Sequence, residues 1–246
     1  MAQTSLSSAP LIIGADLFSN SATQLMPVGA YAETPDGRGF RYCKVGAAAD
    51  TVAGKVYQSK ALDATNDQPS GGLGVNAAVA IGGTSITTST STTWTLNEHA
   101  EGYVSINVTP GQGYLYKIKS NTATSAATGG VIVLEDPLQV ALTTDSKFII
   151  VQHPYKGVVI EPGTPTGKIV GVAPYIITAG QYGWLQTKGA ASVLFTGTGV
   201  AGKVVGSLSG GTSGSMAPAI AATNIGGEHM ATGITGEYSI VYLTID

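Results

Sequence analysis

Tyr31-Ala32-Glu33-Thr34-Pro35-Asp36-Gly37-Arg38-Gly39-Phe40-Arg41-Tyr42-Cys43-Lys44-Val45 is the stretch on which the fold turns. Residues 28–33 rise as a strand, Thr34-Pro35-Asp36-Gly37 reverses the chain, and the return alternates. Pro at the second turn position and Gly at the last suit a type I turn. On the return strand Phe40, Tyr42 and Lys44 point one way and Arg41, Cys43 and Val45 the other, because side chains in a strand alternate across the sheet. Period-two patterning between tight turns marks a half-buried antiparallel sheet.

Working outward, the same grammar fills the chain. Strands are expected at 54–58, 75–81, 84–95, 131–134, 138–142 and 148–152. A second hairpin is expected from 102–108 through Thr109-Pro110-Gly111-Gln112-Gly113 to 114–119. Beyond it come 168–173, 176–177, 182–187, 192–196 and 203–208, with turns at Ala179-Gly180 and Lys188-Gly189; 220–225 fits no class. The run 84–95 is rich in Ser and Thr, and Thr suits a pleated surface because its branched Cβ restricts χ1. At 237–245 both faces look apolar enough to be buried, so a central strand is expected. Ser209-Gly210-Gly211-Thr212-Ser213-Gly214-Ser215 reads as a flexible surface loop. No run reads as an amphipathic helix, so the expected class is all-β.

Composition narrows the function. Hydrophobic residues make up 43% of the 246, enough for a substantial core, while charged residues are 11%, where about a quarter is usual. Val, Ile and Tyr interleaved with the 34 Gly residues argue against disorder. A net charge of −3 excludes the basic excess needed to neutralise phosphates, so no nucleic-acid partner is expected. The charge is nonetheless uneven. Arg38, Arg41, Lys44, Lys55 and Lys60 face only Asp50 within 23 residues, and 61–116 holds Asp63, Asp67, Glu98 and Glu101 without one Lys or Arg. Such stretches are two complementary docking surfaces or, more commonly, solvated strand faces.

Cys43 stands alone, which excludes an intrachain disulfide. Residues 1–10 carry no Lys or Arg, and no run nears the ~18 apolar residues of a membrane span. Neither leader nor membrane partner is expected, and synthesis is expected in the cytoplasm. The first twenty residues read as an extended arm gripping through Leu11, Ile12, Ile13, Leu17 and Phe18, on a partner subunit or on the chain's own core. Polar 63–74 and Pro-rich 154–167 are candidate boundaries.

The chemistry-bearing residues do not assemble in the sequence. His99, His153 and His229 lie far apart, and Glu98-His99-Ala100-Glu101 lacks a second His at helical spacing for zinc. No serine sits in a Gly-x-Ser-x-Gly elbow. Lys44 could activate Cys43, although a buried structural thiol is the commoner case. The Gly-rich segments join strands to strands, so they are turns and not phosphate cradles. Tyr31, Tyr42, Trp94, Tyr103, Tyr114, Tyr116, Tyr182 and Trp184 could form a stacking platform, or pack as core and cross-strand pairs. No catalytic residue, cofactor or metal is expected, and the chain is not read as an enzyme.

Two stretches carry a resemblance. One is Pro35-Asp36-Gly37-Arg38-Gly39-Phe40-Arg41-Tyr42-Cys43-Lys44-Val45-Gly46 leading to Ala53-Gly54-Lys55-Val56. The other is Pro165-Thr166-Gly167-Lys168-Ile169-Val170-Gly171-Val172-Ala173-Pro174, then Ala179-Gly180-Gln181-Tyr182-Gly183-Trp184-Leu185-Gln186-Thr187-Lys188-Gly189. Together with 103–121 and 238–246, they make the chain resemble tailed-phage head decoration (capsid cement) proteins. The motifs are turn-and-strand patterns and not catalytic signatures. The resemblance implies an antiparallel β-barrel or sandwich of β-tulip type with an inserted second β domain. The arm would be 1–20, a discontinuous capsid-binding domain 21–62 plus 161–246, and an outward-facing insert 63–160. It implies a homotrimer on the outer surface of a virion capsid, partnered by the major capsid protein. Leu11, Ile12, Ile13, Leu17, Phe18, Arg38, Arg41 and Lys44 are the expected capsid contacts. The rival expectation is a receptor- or glycan-binding module of a tail fibre or spike.

Overall fold

A computed structural model describes residues 15–88, 93–124, 129–208, 210–219 and 222–246. The described residues contain strands and one 3-10 turn, Ala15–Phe18, and no α-helix, so the protein is all-β. The chain divides into two compact units, Met1–Lys60 with Pro154–Asp246, and Ala61–His153.

In chain order the first unit carries β1 (Tyr31–Glu33), β2 (Gly39–Val45) and β3 (Val56–Gln58). The second unit carries β4 (Leu73–Gly74), β5 (Ser85–Thr87), β6 (Tyr103–Val108), β7 (Leu115–Asn121), β8 (Val131–Leu134) and β9 (Lys147–Val151). The first unit resumes with β10 (Lys156–Ile160), β11 (Ile169–Val172), β12 (Tyr182–Leu194), β13 (Val204–Leu208), β14 (Ala217–Pro218), β15 (Ala222–His229) and β16 (Tyr238–Thr244).

The first unit is one 10-stranded sheet in the order β1-β2-β10-β3-β11-β12-β16-β15-β13-β14. A further pairing of β2 with β12, from Tyr182 opposite Lys44 to Lys188 opposite Gly39, closes β2-β10-β3-β11-β12 into a 5-strand barrel. The alternation read at 40–45 explains how that ring is filled. Cys43 and Val45 point inward with Tyr57, Val158, Val170 and Leu185 from the other barrel strands. Phe40 and Tyr42 point outward and are covered by Leu17, Ala32 and Trp184. Beyond β12 the sheet continues as a curled half-barrel. Its inner face, Ala191, Val193, Val205, Val241 and Leu243, packs with Val56, Ile169 and Val172.

Several elements differ from the sequence expectation. Residues 182–187 and 192–196 are not separated by a turn: β12 runs unbroken over 13 residues. Gly189 does take a positive φ of 83°. It bends the strand where its pairing with β2 gives way to β16, which runs from Lys188 opposite Thr244 to Leu194 opposite Tyr238. Residues 75–81 and 138–142 form no strands and meet through the isolated bridge of Val79 with Leu142. The expected strand 84–95 reduces to β5, with 89–92 outside the described residues. Residues 210–215 are pinned by backbone bonds, Gly210 to Gly163 and Gly214 to Glu161. Of the segment 220–225, which fits no class in the sequence, 222–225 open β15 and 220–221 lie outside the described residues. β16 is central, but only one face is covered: Ser239, Val241 and Leu243 are buried, and Tyr238, Ile240 and Tyr242 are in solvent.

The second unit is a 6-stranded sheet, β4-β9-β6-β7-β8-β5. Its core, which includes Trp94, Ile106, Ile118, Ile132 and Phe148, draws every member from within the unit. Each such side chain contributes about 1.5–3 kcal/mol on burial.

Candidate docking cleft

The expected contact residues separate on inspection. Leu11, Ile12 and Ile13 lie outside the described residues. Leu17 is 2% exposed and belongs to the chain's own core beside Phe40, Tyr42 and Trp184. Phe18 turns the other way: it is 54% exposed, with its ring edge-on to Tyr175 at 5.9 Å. The segment after it is strapped down, since the Tyr175 hydroxyl donates to the Ser19 carbonyl and the Asn20 amide to Thr178.

The three basic residues also part. Arg41, whose side chain is 32% exposed, is engaged by the chain's own groups. Its Nε donates to Asp246 Oδ2 at 2.9 Å, its Nη1 donates to the Gly29 carbonyl at 2.9 Å, and its guanidinium lies 4.9 Å from the Tyr31 ring centroid. Thr187 donates to the same Asp246 oxygen at 2.6 Å. Burial and a hydrogen bond to Glu33 push the Tyr31 phenol up to about 12. Lys44 lies 5.4 Å from the Tyr182 ring centroid, half-buried. Arg38 stays at the surface, its Nε 2.8 Å from Asp36. The Thr34 hydroxyl and then Arg38 hold the Asp36 carboxyl below its usual value, so the pair stays ionised.

Phe18 and Arg38, 20 positions apart in sequence, line one open cleft of about 400 Å³. Gly54, Pro174, Gln186, Ser192 and Tyr238 complete its walls. Gly54 is required there. It has φ +75°, and a Cβ on it would come within 2.5 Å of the Tyr238 ring. The walls offer an aromatic edge, a guanidinium, an amide and small apolar side chains. That set can hold an extended segment of another protein through apolar contact and one ionic contact. Among the described residues that line it, none is a nucleophile with a base in reach.

The remaining reactive groups are dispersed. Cys43 is buried, and burial raises its thiol above the ordinary value, opposing the activation that Lys44 could have supplied. His229 Nε2 lies 2.8 Å from Ser239 Oγ, which donates onward to the Thr232 carbonyl; the imidazole is stacked 4.4 Å from Phe195. His99 is buried in the second unit against Trp94, 3.4 Å from Asp67. Among the described residues no three His, Cys, Asp or Glu side chains gather as a metal site. The aromatic set divides into separate packing groups: Tyr42 is stacked on Tyr182 at 5.9 Å and edge-on to Trp184 at 5.2 Å, Tyr114 is stacked on Tyr116 at 6.2 Å, and Tyr42, Trp94, Tyr116 and Trp184 are buried.

Sequence reasoning missed Tyr238 as a wall of the cleft and the exposure of Ile240 and Tyr242. The signal was present in the strict alternation of Tyr238-Ser239-Ile240-Val241-Tyr242-Leu243-Thr244. The strand is apolar on both faces, but the chain's own core covers only the face of Val241 and Leu243. No protein-family model, no curated protein and no solved structure matches this chain.

Proposed function

We propose that this protein is a structural virion component that binds the outer surface of a phage capsid and stabilises the contacts between capsomers. The observation that carries the reading is the cleft that joins Phe18 and Arg38, two residues on the segments expected to contact a capsid. The all-β architecture and the turn-and-strand resemblance to head decoration proteins support it. The mechanism is mechanical. Each copy adds buried area across a seam between capsomers, and many copies multiply individually weak contacts.

The test is binding to undecorated heads. Phe18→Ala with Arg38→Glu is expected to lower occupancy at least tenfold and to remove the gain in head-disruption temperature. Wild-type occupancy by the double variant, or no binding by the wild-type protein, overturns the reading. The alternative of a receptor- or glycan-binding module draws on the Tyr and Trp set, and the burial of both Trp residues in separate cores weakens it.

A further inference from the structure

We infer that residues 210–215 are a pH-gated clasp between the half-barrel and the 5-strand barrel, closed over Glu161 while its carboxyl is protonated and released as it ionises. The segment joins β13 to β14, both in the half-barrel. Its hydrogen bonds go to the other barrel. Gly214 donates to the Glu161 carbonyl at 2.7 Å and accepts from the Val56 amide of β3 at 2.9 Å. Ser213 Oγ donates to the same Glu161 carbonyl at 2.9 Å, and Gly210 donates to the Gly163 carbonyl at 2.6 Å. Glu161, just beyond β10, is itself tied to β3, its amide donating to the Val56 carbonyl at 3.0 Å. The fit is close. A Cβ on Gly214 would lie 2.9 Å from the Lys55 Cβ and 3.0 Å from the Ile160 Cδ1, and one on Gly163 would lie 2.5 Å from the Gly211 carbonyl oxygen. Ser215 at the end of the clasp is buried, its hydroxyl 2.8 Å from Thr196 Oγ1.

The Glu161 side chain is 1% exposed with Oε1 unpartnered, a setting that suits the neutral acid and penalises the carboxylate. The clasp and residues 162–167 carry no titratable side chain. Residues 54–58 bring one charge, Lys55, and β10 brings Lys156 at its far end. Burial is the main influence on the carboxyl and raises it to about 7, with hydrogen bonding from Gly214 opposing the rise. Once ionised, the carboxylate needs water, and the clasp is the weakest of its covers. Its side chains are only Gly, Thr and Ser, so lifting it forfeits a few hydrogen bonds and leaves the apolar clusters on either side packed. The sign follows from proton linkage. The open form titrates at the ordinary 4.5 and the closed form at about 7. Below 4.5 both forms hold the proton and the clasp is tightest; from there to about 7 the open-to-closed ratio rises about tenfold per pH unit, and above that it is level. The inference stands whether or not a capsid occupies the cleft.

The experiment is hydrogen exchange on the full chain at pH 5 and pH 8, each rate referred to that of an unstructured peptide at the same pH. In wild type, protection across 210–216 and at the Val56 amide is expected to fall at least tenfold from pH 5 to pH 8, while the amides of β12 paired with β16 keep theirs. In Glu161→Gln, which cannot ionise, clasp protection is expected to be the same at both pH values. Wild-type clasp protection that does not change with pH, or an equal fall in Glu161→Gln, overturns the inference. So does a fall shared equally by β12, which would mean that the whole unit loosens and not the clasp. If Glu161→Gln does not fold, Ser215→Cys decides. Its labelling by a thiol reagent, referred to the denatured chain at the same pH, is expected to rise at least tenfold between pH 5 and pH 8, and Cys43 does not compete because it is buried. An unchanged ratio overturns the inference.

Discussion

Two buried residues make stability depend on pH in opposite directions. His229 is 1% exposed with Nδ1 unpartnered, and burial holds its imidazole below the ordinary 6.5. Once pH falls below 6.5 the unfolded chain takes up a proton that the folded chain resists, so stability present above that value is lost on acidification. Glu161 is also 1% exposed with Oε1 unpartnered, and burial raises its carboxyl from 4.5 to about 7. The folded chain keeps that proton between those values and the unfolded chain releases it, so stability is full below 4.5 and declines as pH rises to about 7. Glu161→Gln is therefore expected to melt several degrees above wild type at pH 8 and level with it at pH 4. Equal melting at both pH values would show that the carboxyl is solvated. Cys43, fully enclosed in the barrel, is expected to resist a thiol reagent at pH 8 in the native protein and to react fully in denaturant. Arg41 shows where residue-level reading fails. Its charge was legible, but its partner Asp246 lies 205 positions away, and only the folded chain brings them together.

At the scale of the element, a turn and a bend share one local signature. Gly37 closes the turn between β1 and β2 at φ 84°, and Gly189 bends β12 at φ 83°. The hairpin at 31–45 was legible because its turn and both its strands are consecutive in sequence. Lys188-Gly189 looked like the same device. It is a bend because β2 and β16, distant in sequence, lie on either side to pair with the two halves of β12. The parallel pairing of β10 with β2 was invisible for the same reason, since nothing local announces a partner so far away. Gly54 is different again, because it is fixed by both conformation and space. Gly54→Ala meets a positive φ and the ring of Tyr238, and is expected to cost about 1–3 kcal/mol, read as a lower denaturant midpoint with an unchanged m-value. The same substitution at Gly202, which has φ +77° but nothing within 4 Å, is expected to cost less.

At the scale of the molecule, the two units keep separate cores, and the chain leaves and re-enters the first unit at neighbouring points. A Cβ on Gly157 would lie 3.9 Å from the Cβ of Lys60. Replacing Ala61–His153 with a short Gly-Ser link is therefore expected to leave a cooperatively folding β protein, checked by circular dichroism and a thermal melt. Broad, non-cooperative melting of the shortened chain would count against independent folding. The polar run 63–74 and the Pro-rich run 154–167 begin close to the two points where the chain changes unit, Lys60 to Ala61 and His153 to Pro154. β10, which the sequence boundary at 160 placed with the insert, pairs with β2 and β3 of the barrel. The long β12 has one more effect. Tension applied along it meets the seven residue pairs that tie it to β16 edgewise, so those bonds must rupture together instead of unzipping one by one. Pulled in that direction the protein is expected to behave as a stiff link that gives way abruptly at high force, not as a spring.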